Sequence, residues 1–347
     1  MGEVYQSPAT GPVHGRRLIL IVGMHRSGTS LLTKALHVLG AELGDGFIPS
    51  DKFNPKGYWE NYRFLQINEE LLGAAGMAWD NLGNGEPERV ATLADTPFFA
   101  RARALVRELP FDGKPFALKD PRFSVLIPFW AKVLQAEDIS VSYVVAFRNP
   151  LSVVDSLCAR ATLPPERALW LWAIYNIRIL AALDRCAPIV VDYDTVIDHP
   201  VAQLTRLAAA LGLSVDPAII SGFCEEFISP RLRHTRYTLD ALKACAACDP
   251  LMVKVYEALC LRALDPGESD PVYFNGQVGA WLAELAQVQN LLSLNRRLIS
   301  ENKALERRIF NRAMIWPRVI ERLYEIEQRA PGGLRPLLRW VRARLPG

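Results

Sequence analysis

The chain has 347 residues with a formal net charge of +3, and half of its residues are hydrophobic. This length allows one large domain with an appendage, or two domains, and the apolar content suffices for a sizeable core. No apolar run reaches the roughly 18 residues that a membrane-spanning helix needs. The six cysteines lie mostly within apolar helical patterns, which is typical of reduced, buried thiols.

The charges are unevenly distributed along the chain. Residues 296–347 hold thirteen Lys or Arg against five Asp or Glu, which leaves a balance of −5 for the rest. A mildly acidic body with a basic tail argues against a protein that mainly binds nucleic acid. Residues 1–16 are polar and turn-rich and lack the apolar stretch of a secretory signal. We therefore expect a flexible N-terminal tail and a cytoplasmic protein.

Strand patterns alternate with helical patterns between residues 17 and 211. The first strand is predicted at residues 17–22, where the chain is largely apolar and β-branched. Further strands are predicted at 116–118, 141–147 and 189–191. Helices are predicted at 27–39, 60–73, 97–109, 123–136, 150–160, 165–185 and 200–211. This alternation predicts an α/β fold, with a P-loop-type parallel sheet flanked by helices, in a domain that spans residues 17–265.

The pattern changes after residue 236. Residues 240–264 are predicted to be helical, and residues 266–279, which contain Pro and Gly, to be a linker. Residues 280–312 then place Leu at heptad position d and Asn at position a, which is typical of a parallel two-stranded coiled coil. A homodimer through residues 281–309 is one hypothesis. A helix that docks on its own domain is the alternative, which Glu284 at a d position favours.

The last segment, residues 313–347, is basic and amphipathic. Arg335, Arg339 and Arg342 share one helical face, whereas the opposite face is apolar. The apolar residues are Leu334, Leu338, Val341 and Leu345. Such a helix can lie on an anionic bilayer through residues 334–345, which would place the protein at the inner face of the membrane. A solvated terminal helix is the alternative.

The first predicted strand runs into a glycine-containing loop, Gly23-Met-His-Arg-Ser-Gly-Thr-Ser30. A loop between a strand and a helix directs free N–H groups, and the positive end of the helix dipole, towards an anion. The glycine spacing is that of a Walker loop, but Thr29 stands where the lysine of that loop would be. The cation here is Arg26, which precedes the second glycine and therefore lies over the loop and not in the first turn of the helix. We therefore expect a ligand whose phosphate differs from the triphosphate of ATP. A bare turn is the alternative.

Cations also follow two later strands. Arg148 follows the third predicted strand, and Ser156 lies in the next helix, so that both can reach one anion at the carboxyl edge of the sheet. Lys119, Asp120 and Arg122 follow the second predicted strand. Salt bridges with a purely structural role are the alternative for these side chains.

These three clusters resemble motifs of the sulfotransferases that use 3′-phosphoadenylyl sulfate (PAPS), in particular the bacterial carbohydrate and tyrosylprotein branch. The loop Arg26-Ser27-Gly28-Thr29-Ser30 is similar to the 5′-phosphosulfate loop of that family. Arg148-Asn149-Pro150 with Ser156 matches the 3′-phosphate motif, and Lys119-Asp120-Pro121 is similar to a Lys-Asp-Pro of the tyrosylprotein enzymes. The resemblance covers roughly residues 17–235, and the late Arg-Lys-Gly of the cytosolic members is absent.

The resemblance implies an enzyme that transfers a sulfuryl group from PAPS, without a metal, to a hydroxyl or amine of a saccharide, glycolipid or other small acceptor. It gives Arg26 and Lys119 a catalytic role on the transferring sulfonate. In the cytosolic members, the Arg-Lys-Gly near the end of the domain contacts the 3′-phosphate. Arg233, in the basic stretch 229–237, is the candidate to replace that contact. The implied cofactor ligands are His25, Arg26, Ser27, Gly28, Thr29, Ser30, Arg148, Ser156 and Arg233.

A general base must take the proton of the acceptor as it attacks. Residues 50–64 supply Glu60, the predicted base, which is similar in position to a Glu of the tyrosylprotein branch. Asp51 is the second candidate, and His25 and His37 are weaker ones. The structural alternative for Glu60 is a carboxylate that stabilises the first turn of a helix. The aromatic residues that either stack on a sugar or simply pack are Tyr58, Trp59 and Tyr62.

Two other functions stay open at this point. A P-loop kinase acting on a small molecule would use ATP and Mg²⁺, and the missing Walker lysine counts against it. A non-catalytic scaffold would dimerise through residues 281–309 and bind a membrane with its basic tail.

Overall fold

The computed structural model describes most of the chain. The residues described are 15–51, 54–81, 87–160, 163–184, 186–228, 235–264, 276–288, 298, 301, 302, 304–306, 321–331 and 334–342. The chain divides into two compact units, Met1–Gln287 and Val288–Gly347. Most of the predicted N-terminal tail, linker and coiled coil lies outside the described residues, so the domain boundaries and the homodimer stay predictions.

Among the described residues of the first unit, four parallel strands form one sheet. In chain order they are β1 (Arg17–Val22), β2 (Phe116–Lys119), β3 (Ser140–Phe147) and β4 (Ile189–Asp192). Their order across the sheet is β2-β1-β3-β4. The first strand pairs on both sides, with Ile21 opposite Lys119 in β2 and opposite Val144 in β3. The predicted α/β class is therefore confirmed, and the carboxyl ends of neighbouring strands meet at one edge of the sheet.

Helices surround this sheet. In chain order they are α1 (Thr29–Val38), α2 (Tyr62–Ala74), α3 (Pro87–Thr92), α4 (Pro97–Arg107), α5 (Phe123–Ala136), α6 (Pro150–Cys158), α7 (Pro165–Ala182), α8 (Tyr193–Asp198), α9 (Pro200–Ala210), α10 (Pro217–Phe227), α11 (Leu239–Ala244) and α12 (Pro250–Leu264). Residues 276–288 are also helical, so this helix begins before residue 280, where the sequence predicts it. None of the helices among the described residues combines the length and the apolarity that crossing a bilayer requires.

The structure corrects the prediction of one helix over residues 240–264. The chain forms α11 and α12 instead, separated by a turn in which Cys248 N–H donates to the Cys245 carbonyl. Asp249 precedes Pro250 and accepts a hydrogen bond from Leu251 N–H at 2.9 Å, so it caps α12. A residue before proline disfavours the helical conformation, which explains why one helix ends and another begins here.

Both faces of the sheet are buried against helices. Ile19, Ile21 and Val144 point to a core cluster that contains side chains of α1, α9 and α10. Phe147, whose position gives it the opposite face, contacts Tyr256 of α12 with ring centroids 6.0 Å apart. The continuous apolar runs of the central strands are therefore explained by burial on two sides.

We expect core packing on α1 to contribute strongly to stability. Leu36 is fully buried, whereas Leu264 is 73% exposed. Leu36→Ala should lower the free energy of unfolding by about 2–5 kcal/mol, because it removes apolar contacts and leaves a cavity. Leu264→Ala is the matched control, with a change within about 0.5 kcal/mol. Urea denaturation measures both, and equal losses would contradict the assignment of this core.

Candidate active site

A cavity of about 540 Å³ lies where β1, β2 and β3 end and α1 begins. All three sequence clusters contribute to its lining, with Arg26 from the first loop, Lys119 at the end of β2, and Arg148 and Ser156 after β3. Glu60 also lines it. The structure therefore brings the predicted anion-binding residues to one cavity, as the convergence of parallel strand ends requires.

The loop between β1 and α1 is held in a conformation that needs glycine. Gly28 has φ +86°, and a Cβ there would lie 2.2 Å from Cδ2 of Tyr193. Gly23 N–H donates to Ser124 Oγ at 2.9 Å, and Ser124 Oγ donates back to the Gly23 carbonyl at 3.1 Å. The Ser27 hydroxyl is buried and has no hydrogen-bond partner among the described residues. The loop is thus fixed from behind by α5 and contains an unsatisfied polar group.

The loop is connected directly to the cluster after β3. Arg26 Nε donates to Ser156 Oγ at 2.7 Å, which joins two clusters that the sequence treated as separate phosphate sites. Burial, together with the neighbouring cations Arg160 and Arg148, lowers the pKa of Arg26. Arg26, Arg148 and Arg160 all line the cavity, and this concentration of positive charge favours the binding of an anion.

Arg148 is positioned by several contacts. Its Nη2 donates to the Thr235 carbonyl at 2.8 Å, and its Nε lies 3.7 Å from Oδ2 of Asp194. Its guanidinium is 4.6 Å from the ring centroid of Tyr193. The indole of Trp172 donates to the Arg148 carbonyl at 3.0 Å. The backbone and side chain are therefore both held, yet Nε is buried without a hydrogen-bond partner among the described residues.

Lys119 and Glu60 form a buried ion pair in the wall of the cavity. Lys119 Nζ lies 2.6 Å from Glu60 Oε1, 2.9 Å from the Tyr58 carbonyl and 3.2 Å from Ser30 Oγ. Burial raises the pKa of Glu60, while the Lys119 ammonium opposes that increase. A carboxylate with a raised pKa next to a fixed cation is an arrangement suited to proton transfer at a charged site.

The structural alternative for Glu60 is wrong. The sequence placed Glu60 at the start of a helix over residues 60–73, but α2 begins at Tyr62. Asn61 caps this helix by accepting a hydrogen bond from Arg63 N–H at 3.0 Å. Glu60 therefore precedes the helix, and its carboxylate turns to Lys119 instead of stabilising the first helical turn.

Asp120 orients Arg122 behind this pair. Arg122 Nη1 lies 2.9 Å from Asp120 Oδ1, and Arg122 Nε also pairs with Glu69. Burial lowers the pKa of Arg122, but Asp120 and Glu69 outweigh it and raise the pKa above its ordinary value. Asn68 Nδ2 donates to Asp120 Oδ2 at 3.1 Å and completes the support of this carboxylate.

Asp51 and the aromatic residues occupy the segment between α1 and α2. Asp51 lines the cavity and accepts a hydrogen bond from Tyr58 OH at 2.8 Å. Tyr58 and Trp59 also line it, whereas Tyr62 is 53% exposed and lies outside its lining. Tyr62 is thus a correction to the predicted aromatic wall, because it lies in the first turn of α2 and its hydroxyl accepts from Gln66 Nε2.

The remaining predicted residues differ in their placement. His25 lines the cavity, and its ring centroid is 4.8 Å from that of Trp79. Burial, and then the charges of Arg122 and Lys119, lower its pKa well below the ordinary value, so the ring is neutral at pH 7. His37 Nδ1 lies 3.3 Å from the Ala41 carbonyl, away from the cavity lining. Arg233 lies outside the described residues.

The structure adds lining residues that the sequence did not indicate. Tyr193 follows β4 at the same edge of the sheet, so the rule that located Arg148 also applies to it. Arg160 places its guanidinium 5.2 Å from the ring centroid of Tyr58. Lys56 Nζ lies 4.0 Å from the ring centroid of Phe227, a contact between distant parts of the chain for which no local pattern gives a signal.

The model of the sulfotransferase family matches residues 19–217, more than half of the chain. The chain therefore belongs to the sulfotransferase family and is a transferase. Among solved structures, it is similar to the sulfotransferase domain from the Synechococcus PCC 7002 olefin synthase, with 17% sequence identity and a TM-score of 0.37. That similarity covers 81% of this chain and 98% of the other. No curated protein matches the chain.

Gly28→Ala tests the close approach of the loop to Tyr193. Gly40→Ala is the matched control, because Gly40 also has a positive φ, +99°, but has nothing within 4 Å of its Cβ position. Gly40→Ala should lower the free energy of unfolding by about 1–2 kcal/mol through backbone strain. Gly28→Ala should cost roughly 1–3 kcal/mol more through the clash. Urea denaturation measures both, and equal losses would show that Tyr193 does not restrict this position.

Proposed function

We propose that the chain transfers the sulfuryl group of PAPS to a hydroxyl or amine of a saccharide, glycolipid or other small acceptor. Sulfotransferases generally use PAPS, and the cavity is lined by cations and carboxylates of the kinds that such a reaction would use. The observation that carries the proposal is the buried pair of Lys119 Nζ and Glu60 Oε1, 2.6 Å apart, beside the loop that precedes α1. A cation for the transferring group and a base for the acceptor are thus adjacent.

The residues around the cavity fit a nucleotide with two phosphate groups. The Ser27 hydroxyl and Arg148 Nε are buried without hydrogen-bond partners among the described residues. Buried donors without acceptors are rare and cost free energy, and phosphate oxygens would satisfy them. The loop amides, Ser27 and Arg26 would hold the 5′-phosphosulfate, and Arg148 with Ser156 the 3′-phosphate. A contact of Arg233 with the 3′-phosphate stays a prediction.

The cations of the site provide electrostatic stabilisation. PAPS supplies an activated sulfuryl group and leaves as adenosine 3′,5′-bisphosphate. In an in-line displacement, the acceptor oxygen or nitrogen bonds to sulfur while the bond from sulfur to the bridging oxygen breaks. Negative charge develops on that leaving oxygen, so cations that are already in place lower the barrier. Lys119 is fixed by Glu60, Ser30 Oγ and the Tyr58 carbonyl, and Arg26 is fixed by Ser156. Both cations are therefore already positioned in the lining of the cavity.

Glu60 is the proposed general base. The acceptor loses its proton as it attacks, and a base is most effective when its pKa is close to the working pH. Burial raises the pKa of Glu60 towards neutral pH, while the positive charge of Lys119 favours the ionised carboxylate. Tyr58 and Trp59 line the same cavity, so an acceptor that enters it would meet aromatic side chains.

Glu60→Gln tests the base. Transfer of ³⁵S from labelled PAPS to acceptors in a glycan and glycolipid screen should fall roughly 10²–10⁴-fold, because the proton then has no acceptor. Binding of adenosine 3′,5′-bisphosphate, measured by calorimetry, should be retained. Glu108→Gln is the matched control, since Glu108 is exposed and pairs with Arg63 on the surface.

Three outcomes would contradict parts of this proposal. Loss of transfer in Asp51→Asn but not in Glu60→Gln would assign the base to Asp51. Undetectable binding of adenosine 3′,5′-bisphosphate by the unmodified chain would contradict the cofactor. Thermal stabilisation by ATP and Mg²⁺, but not by the bisphosphate, would favour the small-molecule kinase.

Asp120→Asn tests the electrostatic control of Glu60. The negative charge of Asp120 contributes to the raised pKa of Glu60, so its removal lowers that pKa. Because Glu60 acts in its ionised form, kcat/KM should decline at low pH as Glu60 is protonated, and Asp120→Asn should move this decline to lower pH. Asp138→Asn, an exposed carboxylate at φ +52°, is the control and should leave the profile unchanged. A shift to higher pH in Asp120→Asn would contradict the assignment of the titrating group.

A further inference from the structure

Two helices in the second unit form a helical hairpin. Residues 321–329 are helical, and a second helix spans Arg335–Arg342. We call the described residues 321–331 and 334–342 the terminal hairpin. Arg339 Nε lies 2.6 Å from Oε1 of Glu327, whose side chain is only 4% exposed. Arg335 Nε donates to the Ala330 carbonyl at 2.9 Å. These contacts fix the angle at which the second helix leaves the first.

The terminal hairpin leaves its large apolar side chains in solvent. Ile326 is 47% exposed, Leu334 53% and Leu337 59%. All three line one groove with a volume of about 440 Å³, together with Pro331 and Leu338. Single exposed leucines are common on protein surfaces, but several that line one groove within 22 residues mark an interaction surface.

Positive charge accompanies this apolar groove. Arg329 lines it, and the side chain of Arg339 is 68% exposed despite its pairing with Glu327. Residues 296–347 as a whole have a charge of +8. A second copy of the chain would bring the same positive charge to the groove and be repelled. An anionic surface would be attracted and would accept the leucines into its apolar interior.

We propose that the terminal hairpin binds an anionic lipid bilayer, with Ile326, Leu334 and Leu337 entering the acyl boundary and the arginines at the level of the head groups. The sequence pattern predicted this contact for residues 334–345, whereas the hairpin places it on both helices. Ile326, from the first helix, becomes part of the surface. Arg335 donates to the carbonyls of Gln328 and Ala330 at the end of the first helix, so it stabilises the hairpin as well as contributing charge.

Vesicle co-sedimentation of the full chain tests this proposal. The chain should pellet with vesicles of phosphatidylglycerol and phosphatidylcholine at low salt, and not with pure phosphatidylcholine. Leu334→Asp/Leu337→Asp should reduce the bound fraction at least tenfold. Leu261→Asp/Leu264→Asp is the matched control: these leucines in α12 have the same three-residue spacing, are 68% and 73% exposed, and should leave binding unchanged.

A conservative variant separates binding from folding. Leu334→Met/Leu337→Met keeps the apolar character and should bind like the unmodified chain, and circular dichroism should show equal helicity in all variants. Failure of the unmodified chain to sediment with anionic vesicles would overturn the proposal. So would equal losses in both aspartate variants. A fall in mass by light scattering in Leu334→Asp/Leu337→Asp, without vesicles, would also overturn it by assigning the groove to a second copy of the chain.

Discussion

The buried ion pair of Lys119 and Glu60 is the interaction on which the site depends. Each side chain is at most 6% exposed, so neither charge is hydrated well and each needs the other. Lys119 ends β2 beside Ile21 of the central strand, and Glu60 lies just before the cap of α2. The pair therefore connects the sheet to the segment before α2 that lines the cavity, and Lys119 joins Glu60, the predicted base, to Ser30 in the first turn of α1.

The second constraint is the close approach between the loop after β1 and the chain after β4. Tyr193 occupies the space that a side chain at residue 28 would need, so the loop passes near Tyr193 only because residue 28 is glycine. Tyr193 also lies against the guanidinium of Arg148. Tyr193 thus lies against both Gly28 of the loop and the side chain of Arg148, which in the proposed function bind the two ends of PAPS. These parts of the chain meet because β1, β3 and β4 are neighbours in the sheet.

The sequence was sufficient for the sheet and for the residues at strand ends, because strand periodicity is local and parallel strands converge at one edge. The predicted helix ends were wrong where a capping side chain, and not the apolar periodicity, decides where a helix begins. Asn61 starts α2 two residues later than the apolar pattern suggests, and Asp249-Pro250 divides a continuous helical pattern. Asp192 and Asp216 likewise start α8 and α10, which apolar spacing alone did not indicate. The contact of Lys56 with Phe227 joins residues 171 positions apart, and no pattern along the chain predicts it.

The charges of the site explain how a mildly acidic body can contain a cavity that attracts anions. Arg122 and Arg148 line the cavity, but the carboxylates that hold them, Asp120, Glu69 and Asp194, are absent from its lining. Six Lys or Arg side chains line the cavity against two carboxylates, Asp51 and Glu60, so positive charge predominates there. The cations still repel one another, since Arg160 and Arg148 both lower the pKa of Arg26. A bound polyanion relieves that repulsion, so the binding of such a ligand should also stabilise the fold.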